Sequence, residues 1–324
     1  MKKISIFLVL LLSIFMFTGC TGSSMTDDTK EVNFIVPDGL PAISIAKIIK
    51  ERPEIKKGYN VKYNIEKTTD NVVTSVMKGE ADIAIVPSNL AATSFNKNGD
   101  YVIAGTVGWG SFFLVSTESN QTVESLKGKE LYNIGKGLTP DIITKSVLKN
   151  KGIDIDKDIN FSYVGGVTEL APIILSDKAK YVVLPEPALS NVSSKKENLN
   201  VILNLNEEWK KENNIEYGFP QSTIIIKKEL VKKDKKFVDN ILKEIENSTI
   251  WAYEDREGLG TYCEEIGISA KKPIIISAMD KSNIKYVNIK DSLKEYQTYF
   301  NKLYEFDSNT VGGKVPDEGI YMEK

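Results

Sequence analysis

The chain has 324 residues, with 42 Lys and Arg against 44 Asp and Glu, a formal net charge of −2, two cysteines and no histidine. Without histidine, Ser-His-Asp and Cys-His nucleophile systems, His general bases and His-ligated zinc are excluded, and the evenly interspersed charge gives no reason to expect a nucleic-acid partner. The length exceeds the usual range of a single hydrophobic core, so two domains are expected, and no cofactor is.

At the N-terminus, Met1-Lys2-Lys3 and the apolar run Ile4 to Phe17 read as an export signal. The run is shorter than the ~20 residues a membrane-spanning helix needs. It stops at Thr18-Gly19-Cys20, which resembles a bacterial lipobox with Phe17 where leucine is usual. Residues 1–19 are therefore expected to be a signal peptide, Cys20 to carry lipid, and residues 20–30 to tether the protein to the outer face of the cell membrane. Cys263 is then the single remaining thiol, so no intramolecular disulfide is available, and burial as a packing residue is expected of it.

Beyond the tether, Val32 to Val36 reads as a strand, Pro37-Asp38-Gly39-Leu40-Pro41 as a loop, and Ala42 to Lys50 as a helix. The pattern recurs with a strand at Val61 to Ile65, a helix at Asp70 to Lys78, and strands at Asp82 to Val86 and Tyr101 to Thr106. Ser111 to Ser116 is β-prone and marks the first crossing to a second lobe, which opens at Val123 to Lys129. There, strands are expected at Leu131 to Ile134, Ile159 to Val164, Tyr181 to Leu184 and Val201 to Leu205, with helices at Pro140 to Asn150 and Thr168 to Ser176. Ser222 to Ile226 carries the chain back. Asp234 to Tyr253 and Ile289 to Tyr304 place apolar residues at three- and four-residue spacing, as long amphipathic helices that pack on lobe one. The expected fold class is α/β: two doubly wound lobes joined by two hinge crossings, with a ligand cleft between them. Lobe one takes residues 31–114 plus 222–324, and lobe two residues 115–221.

Four strand ends, at 36–41, 86–90, 135–140 and 184–188, pass through Gly, Pro or small polar turns into helices. Free N–H groups and the positive end of the dipole make each helix start a donor site, and two per lobe would face one cleft. The candidate ligand-binding residues are Asp38, Leu40, Ser88, Asn89, Lys136, Thr139 and Glu186 at these ends, with Trp109 and Phe112 near the first crossing. Trp109, between two glycines, suits an exposed turn and is the first choice for a stacking platform; core packing beneath the hinge is the alternative for both aromatics. For Glu186 the alternative is a charge effect at the helix N-terminus. Arg52 and Arg256 are the only arginines and fall in peripheral helical segments, which argues against a bidentate arginine clamp. That favours a neutral, cationic or heteroaromatic solute and leaves open a sulfonate held by helix N-termini.

Gly79-Glu80-Ala81-Asp82-Ile83-Ala84, Leu126-Lys127-Gly128-Lys129, the segment Gly135 to Asp141, the segment Tyr181 to Pro187 and Val311 to Asp317 carry a family resemblance. The chain resembles ABC-transporter substrate-binding lipoproteins of the nitrate, sulfonate and taurine, or thiamine-precursor type. The resemblance implies the type II periplasmic-binding fold, a monomer that captures a small organic solute by hinge closure, and delivery to the permease and ATPase subunits of an importer. It does not imply an enzyme: a pyrimidine synthase of thiamine biosynthesis shares the fold but uses an active-site histidine and a cysteine-rich motif, both missing here. A surface adhesin or a ligand sensor is the alternative use of the same fold.

Overall fold

The computed structural model describes residues 29–323; the export run, Cys20 and all but the end of the expected tether lie outside them. In chain order the first elements are β1 (Lys30–Pro37), α1 (Leu40–Ser44), α2 (Ala46–Glu51), β2 (Tyr59–Glu66), α3 (Thr69–Met77), β3 (Ile83–Pro87), α4 (Ser88–Lys97) and β4 (Tyr101–Trp109). The middle of the chain forms β5 (Phe112–Ser116), β6 (Lys129–Ile134), α5 (Thr139–Asn150), β7 (Ile159–Val164), α6 (Val167–Leu175), β8 (Tyr181–Pro185), α7 (Ala188–Ser193), β9 (Asn200–Asn204) and α8 (Leu205–Asn213). The last part forms β10 (Pro220–Lys227), α9 (Lys228–Lys233), α10 (Lys235–Glu254), α11 (Arg256–Glu265), α12 (Lys272–Ala278), β11 (Ile284–Asn288) and α13 (Leu293–Phe306).

These strands make two sheets, one in the order β11-β4-β10-β3-β1-β2 and one in the order β7-β6-β8-β5-β9. β1 runs parallel to β2 and β3, whereas β10 lies antiparallel to both β3 and β4. In the second sheet β6 is parallel to β7 and β8, and β5 is antiparallel to β8 and β9. The architecture is therefore two doubly wound α/β lobes, with helices covering both faces of each sheet. The central strands show why: every residue of β4, β5 and β8 is buried, the continuous apolar pattern of a strand covered on both sides.

The chain leaves the first sheet at Trp109 and enters the second at Phe112, then returns through Phe219 into Pro220. The two crossings are tied to each other. Gly110 N donates to Phe219 O at 3.0 Å, and the Ser111 N–H and hydroxyl donate to Gln221 Oε1 at 2.9 and 3.2 Å. Phe112 and Phe219 stack across them, 5.9 Å between ring centres and 7° from parallel.

Two local departures from the sequence reading have physical causes. The helix expected over 42–50 is broken in two at Ile45 (φ −117°, ψ 19°), where the Ser44 hydroxyl turns back to donate to Pro41 O at 2.6 Å instead of leaving that carbonyl to the helix ladder. β11 had no counterpart among the expected elements; it is a short edge strand that pairs only with β4. Cys263 is fully buried, and burial pushes its thiol up to about 12, well out of the reactive range. Among the described residues no helix is long and apolar enough to cross a membrane.

Candidate functional site

The four strand-to-helix junctions differ in how their polar groups are used. At the end of β1, the Asp38 carboxylate accepts from Gly39 N at 2.8 Å, from Lys67 Nζ at 2.8 Å, and from the N–H and hydroxyl of Ser269 at 3.2 and 2.5 Å. Burial alone would raise this carboxyl, but Lys67 and Ser269 outweigh it and hold it below its ordinary value. Gly39 takes φ 102°, a conformation that favours glycine, and Leu40 starts α1 with its side chain buried.

At the end of β3, Ser88 is the first residue of α4 and 1 % exposed. Its hydroxyl does not cap the helix; it donates to Pro220 O at 2.7 Å and accepts from Thr223 Oγ1 at 2.5 Å. Thr223 in turn meets the Tyr296 hydroxyl of α13 at 2.7 Å, and Tyr296 meets Thr106 at 2.7 Å. The neighbouring Asn89 is half-buried; its backbone carbonyl accepts from Thr93 at 2.8 Å, and among the described residues its side-chain amide makes no hydrogen bond.

Lobe two's β6 junction is built from glycine: Gly135 (φ 60°) and Gly137 (φ 73°) flank an exposed Lys136, whose ammonium lies 5.6 Å from the Tyr163 ring centre. Gly137 N donates to Asp141 Oδ2 at 2.8 Å, and Tyr163 donates to Asp141 Oδ1 at 2.7 Å. Leu138 is the N-cap of α5, and the next residue, Thr139, is buried with its hydroxyl 2.6 Å from that of Tyr299 on α13. At the end of β8, Glu186 is 4 % exposed; its carboxylate accepts from the Ser190 N–H and hydroxyl at 3.1 and 3.0 Å, and its own N–H donates to Ser111 O at 3.1 Å. Burial raises this carboxyl, with the Ser190 contacts and Lys281 pulling the other way. Glu186 thus serves the first turn of α7 and the hinge.

Neither α4 nor α5 has a side chain capping its N-terminus, so their first N–H groups are left for a ligand or solvent. These two helices start in different lobes, yet both ends reach one helix. Ser88 connects through Thr223 to Tyr296, and Thr139 connects to Tyr299, one turn further along α13. Residues at that spacing have Cβ atoms about 5–6 Å apart on a helix surface. Ser88 and Thr139 are thereby linked through two buried tyrosines of one helix, with Asn89 next to Ser88 and Lys136 three residues before Thr139. The sequence reading took α13 for a helix packing on lobe one, and its Tyr296, Phe300 and Leu303 are buried there; the reach of Tyr299 to Thr139 was not expected.

Trp109 and Phe112 belong elsewhere. Trp109 is not in an exposed turn: it is the last residue of β4, 2 % exposed, with Nε1 donating to Lys285 O at 3.1 Å and the ring tilted onto Tyr217 at 5.1 Å. The flanking glycines are there for close approach. A Cβ on Gly108 would lie 2.9 Å from Ser222 Oγ, and one on Gly110 would lie 2.3 Å from the Phe219 ring. Phe112 is buried in the ring stack of the crossings. Asp38 is tied to the loop at 267–269. Two surface concavities, about 480 Å³ at Arg52, Tyr63 and Glu265 and about 200 Å³ at Val231 and Met322, also lie away from the α4 and α5 termini.

Two lobes joined by two tied crossings, each built on a doubly wound sheet, define a fold of the periplasmic-binding type. The chain belongs to the NMT1/THI5-like family, whose model matches residues 55–258. Among solved structures it is similar to an ABC transporter protein from Parabacteroides distasonis at 25 % identity and a TM-score of 0.80, over 92 % of this chain and 100 % of that one. The fold is shared with the periplasmic aliphatic sulphonate binding protein SsuA of Escherichia coli (14 % identity, TM-score 0.73, 91 % and 92 % covered) and the periplasmic nitrate-binding protein NrtA of Synechocystis PCC 6803 (11 %, 0.62, 88 % and 84 %). The sequence has no match among curated proteins.

Proposed function

We propose that the protein is the extracytoplasmic solute-binding component of an ABC importer, anchored through lipid on Cys20 to the outer face of the cell membrane and acting as a monomer without catalysis. Ligand is held between the lobes by the first N–H groups of α4 and α5, by the Asn89 amide and by Lys136, and contacts from both lobes draw the population toward the closed form. The observation that carries this reading is the convergence of two uncapped helix N-termini, one per lobe, on adjacent turns of α13. Family membership and the likeness to transport proteins support it. The donors on offer are amides and one ammonium, with no arginine among them. They suit a small organic solute whose polar edge accepts hydrogen bonds: a sulfonate, a thiamine-pyrimidine precursor or a related heteroaromatic.

The test is a thermal-shift screen of the purified protein against alkanesulfonates, thiamine pyrimidine precursors, nucleobases and other small heteroaromatics. A ligand at a hundredfold excess over its dissociation constant adds about 2.7 kcal/mol to stability, a shift of several degrees. One saturable hit that Asn89→Ala and Lys136→Ala weaken fits the proposal. No shift from any compound, with the protein folded, removes the importer reading in favour of a surface adhesin or a sensor of a larger partner.

A further inference from the structure

α13 packs as part of lobe one, with Tyr296, Phe300 and Leu303 fully buried. The same helix also touches lobe two at successive points along its length. Near its start, the buried Glu295 carboxylate accepts from Glu216 N at 3.3 Å and from Tyr217 N at 3.5 Å, just ahead of the return crossing, and Lys294 Nζ donates to Asn214 O at 2.6 Å. One turn on, the Tyr299 hydroxyl, on a side chain with no exposure, meets Thr139 at 2.6 Å. At its end, the Phe306 ring lies 5.4 Å from Lys145 Nζ. That ammonium is mostly buried, is 3.0 Å from Asp141 Oδ2, and also lies 4.9 and 5.6 Å from the Phe161 and Tyr163 ring centres. Lobe two thus supplies most of an aromatic and acidic enclosure around a cation, and lobe one adds a wall.

From this geometry we infer that α13 is a latch between the lobes: the Tyr299–Thr139 hydroxyl pair and the seating of Phe306 against Lys145 hold the two lobes together. A buried hydroxyl pair has no water to replace its partner, so separating the lobes costs both groups a bond until solvent enters. Opening also pulls Phe306 away from a partly desolvated cation, a setting in which cation–π attraction is at its stronger end. The latch sets how often the site is accessible, and hence how fast any ligand enters. It concerns the lobes alone and stands or falls separately from the importer reading.

Tyr296 supplies a control on the same helix. Its hydroxyl bonds only to groups of lobe one, Thr106 and Thr223 at 2.7 Å and Gly105 O at 3.5 Å. Two measurements on the purified protein without ligand test the latch. Spin labels on the exposed positions Asp70→Cys and Lys195→Cys, in a Cys20→Ser background with Cys263 buried, give the interlobe distance distribution by pulsed electron paramagnetic resonance. Hydrogen exchange at the Glu216 and Tyr217 amides reports openings too rare for that distribution to show. Tyr299→Phe is expected to move the open-to-closed ratio about fivefold toward open and Phe306→Ala about threefold, with matching accelerations of exchange. Tyr296→Phe lowers the melting temperature and leaves both readouts where they were. Unchanged distances and exchange rates in the Tyr299 and Phe306 variants overturn the latch, as does an equal response from Tyr296→Phe, or a wild-type protein that is mainly open.

Discussion

The junctions that end β1 and β3 in lobe one and the junction that ends β6 in lobe two occupy equivalent positions in their sheets but are made differently. In lobe one the Asp38 carboxylate has four donors and the Ser88 hydroxyl has two partners, so these side chains are used up by the frame itself. In lobe two, Lys136 stands exposed between two glycines at positive φ, with Leu138 beside it 46 % exposed. Polar residues at a strand end are therefore of two kinds. Those with saturated partners fix the backbone that presents helix N–H groups, and those without partners are free to meet a ligand.

The largest expected effect comes from breaking the frame. Asp38→Ala removes the common acceptor of Gly39, Lys67 and Ser269 and is expected to lower stability by about 2 kcal/mol at pH 7, read from a denaturant midpoint. Because this carboxyl lies below its ordinary 3.8 in the folded protein, its contribution is present above that value and is lost as pH falls through the folded one. The deficit of the variant will shrink on acidification. Lys136→Ala is expected to do the opposite: stability within about 0.5 kcal/mol of wild type, and affinity for an anionic ligand from the screen down about tenfold, by calorimetric titration. A destabilised variant with unchanged affinity would erase the contrast between the junctions. The smallest effect sharpens it. Burial raises Glu186 above its ordinary 4.5, so wild-type stability from this group is full below that pH and declines as pH rises through the folded value. Glu186→Gln has no such decline and is expected to match wild type at pH 4 and to exceed it slightly, by less than about 1 kcal/mol, at pH 7.

The fold was legible because the alternation of β-prone runs with amphipathic segments is a local property; Ile159–Val164 was expected at the bounds it has, and the other strands except β11 within a few residues. For the candidate site, Ser88, Asn89, Lys136 and Thr139 were expected at strand-to-helix junctions, and the structure has them there. Trp109 did not follow, because a glycine kept for close approach and a glycine kept for a turn look the same in one dimension, and only the neighbours Ser222 and Phe219 tell them apart. Tyr299 stayed hidden for a related reason. Helical periodicity marks it as buried, but the partner of its hydroxyl lies 160 positions away in the other lobe. Glu186 was visible as a charge near a helix start, and its bonds to Ser190 are local enough to have been expected.

Under the proposed hinge closure, the paired crossings also govern how the molecule responds to heat. Phe112 and Phe219 sit on the two strips of chain that any lobe rotation must bend, and Gly110 N binds those strips together. A rotation that bends both strips as one carries the ring stack with it and uncovers little apolar area. Heat-capacity change follows apolar exposure, so opening and closing will carry a heat capacity far below that of unfolding. The balance between the two forms will then drift slowly and almost linearly with temperature, while the stability of the lobes follows the usual curved profile.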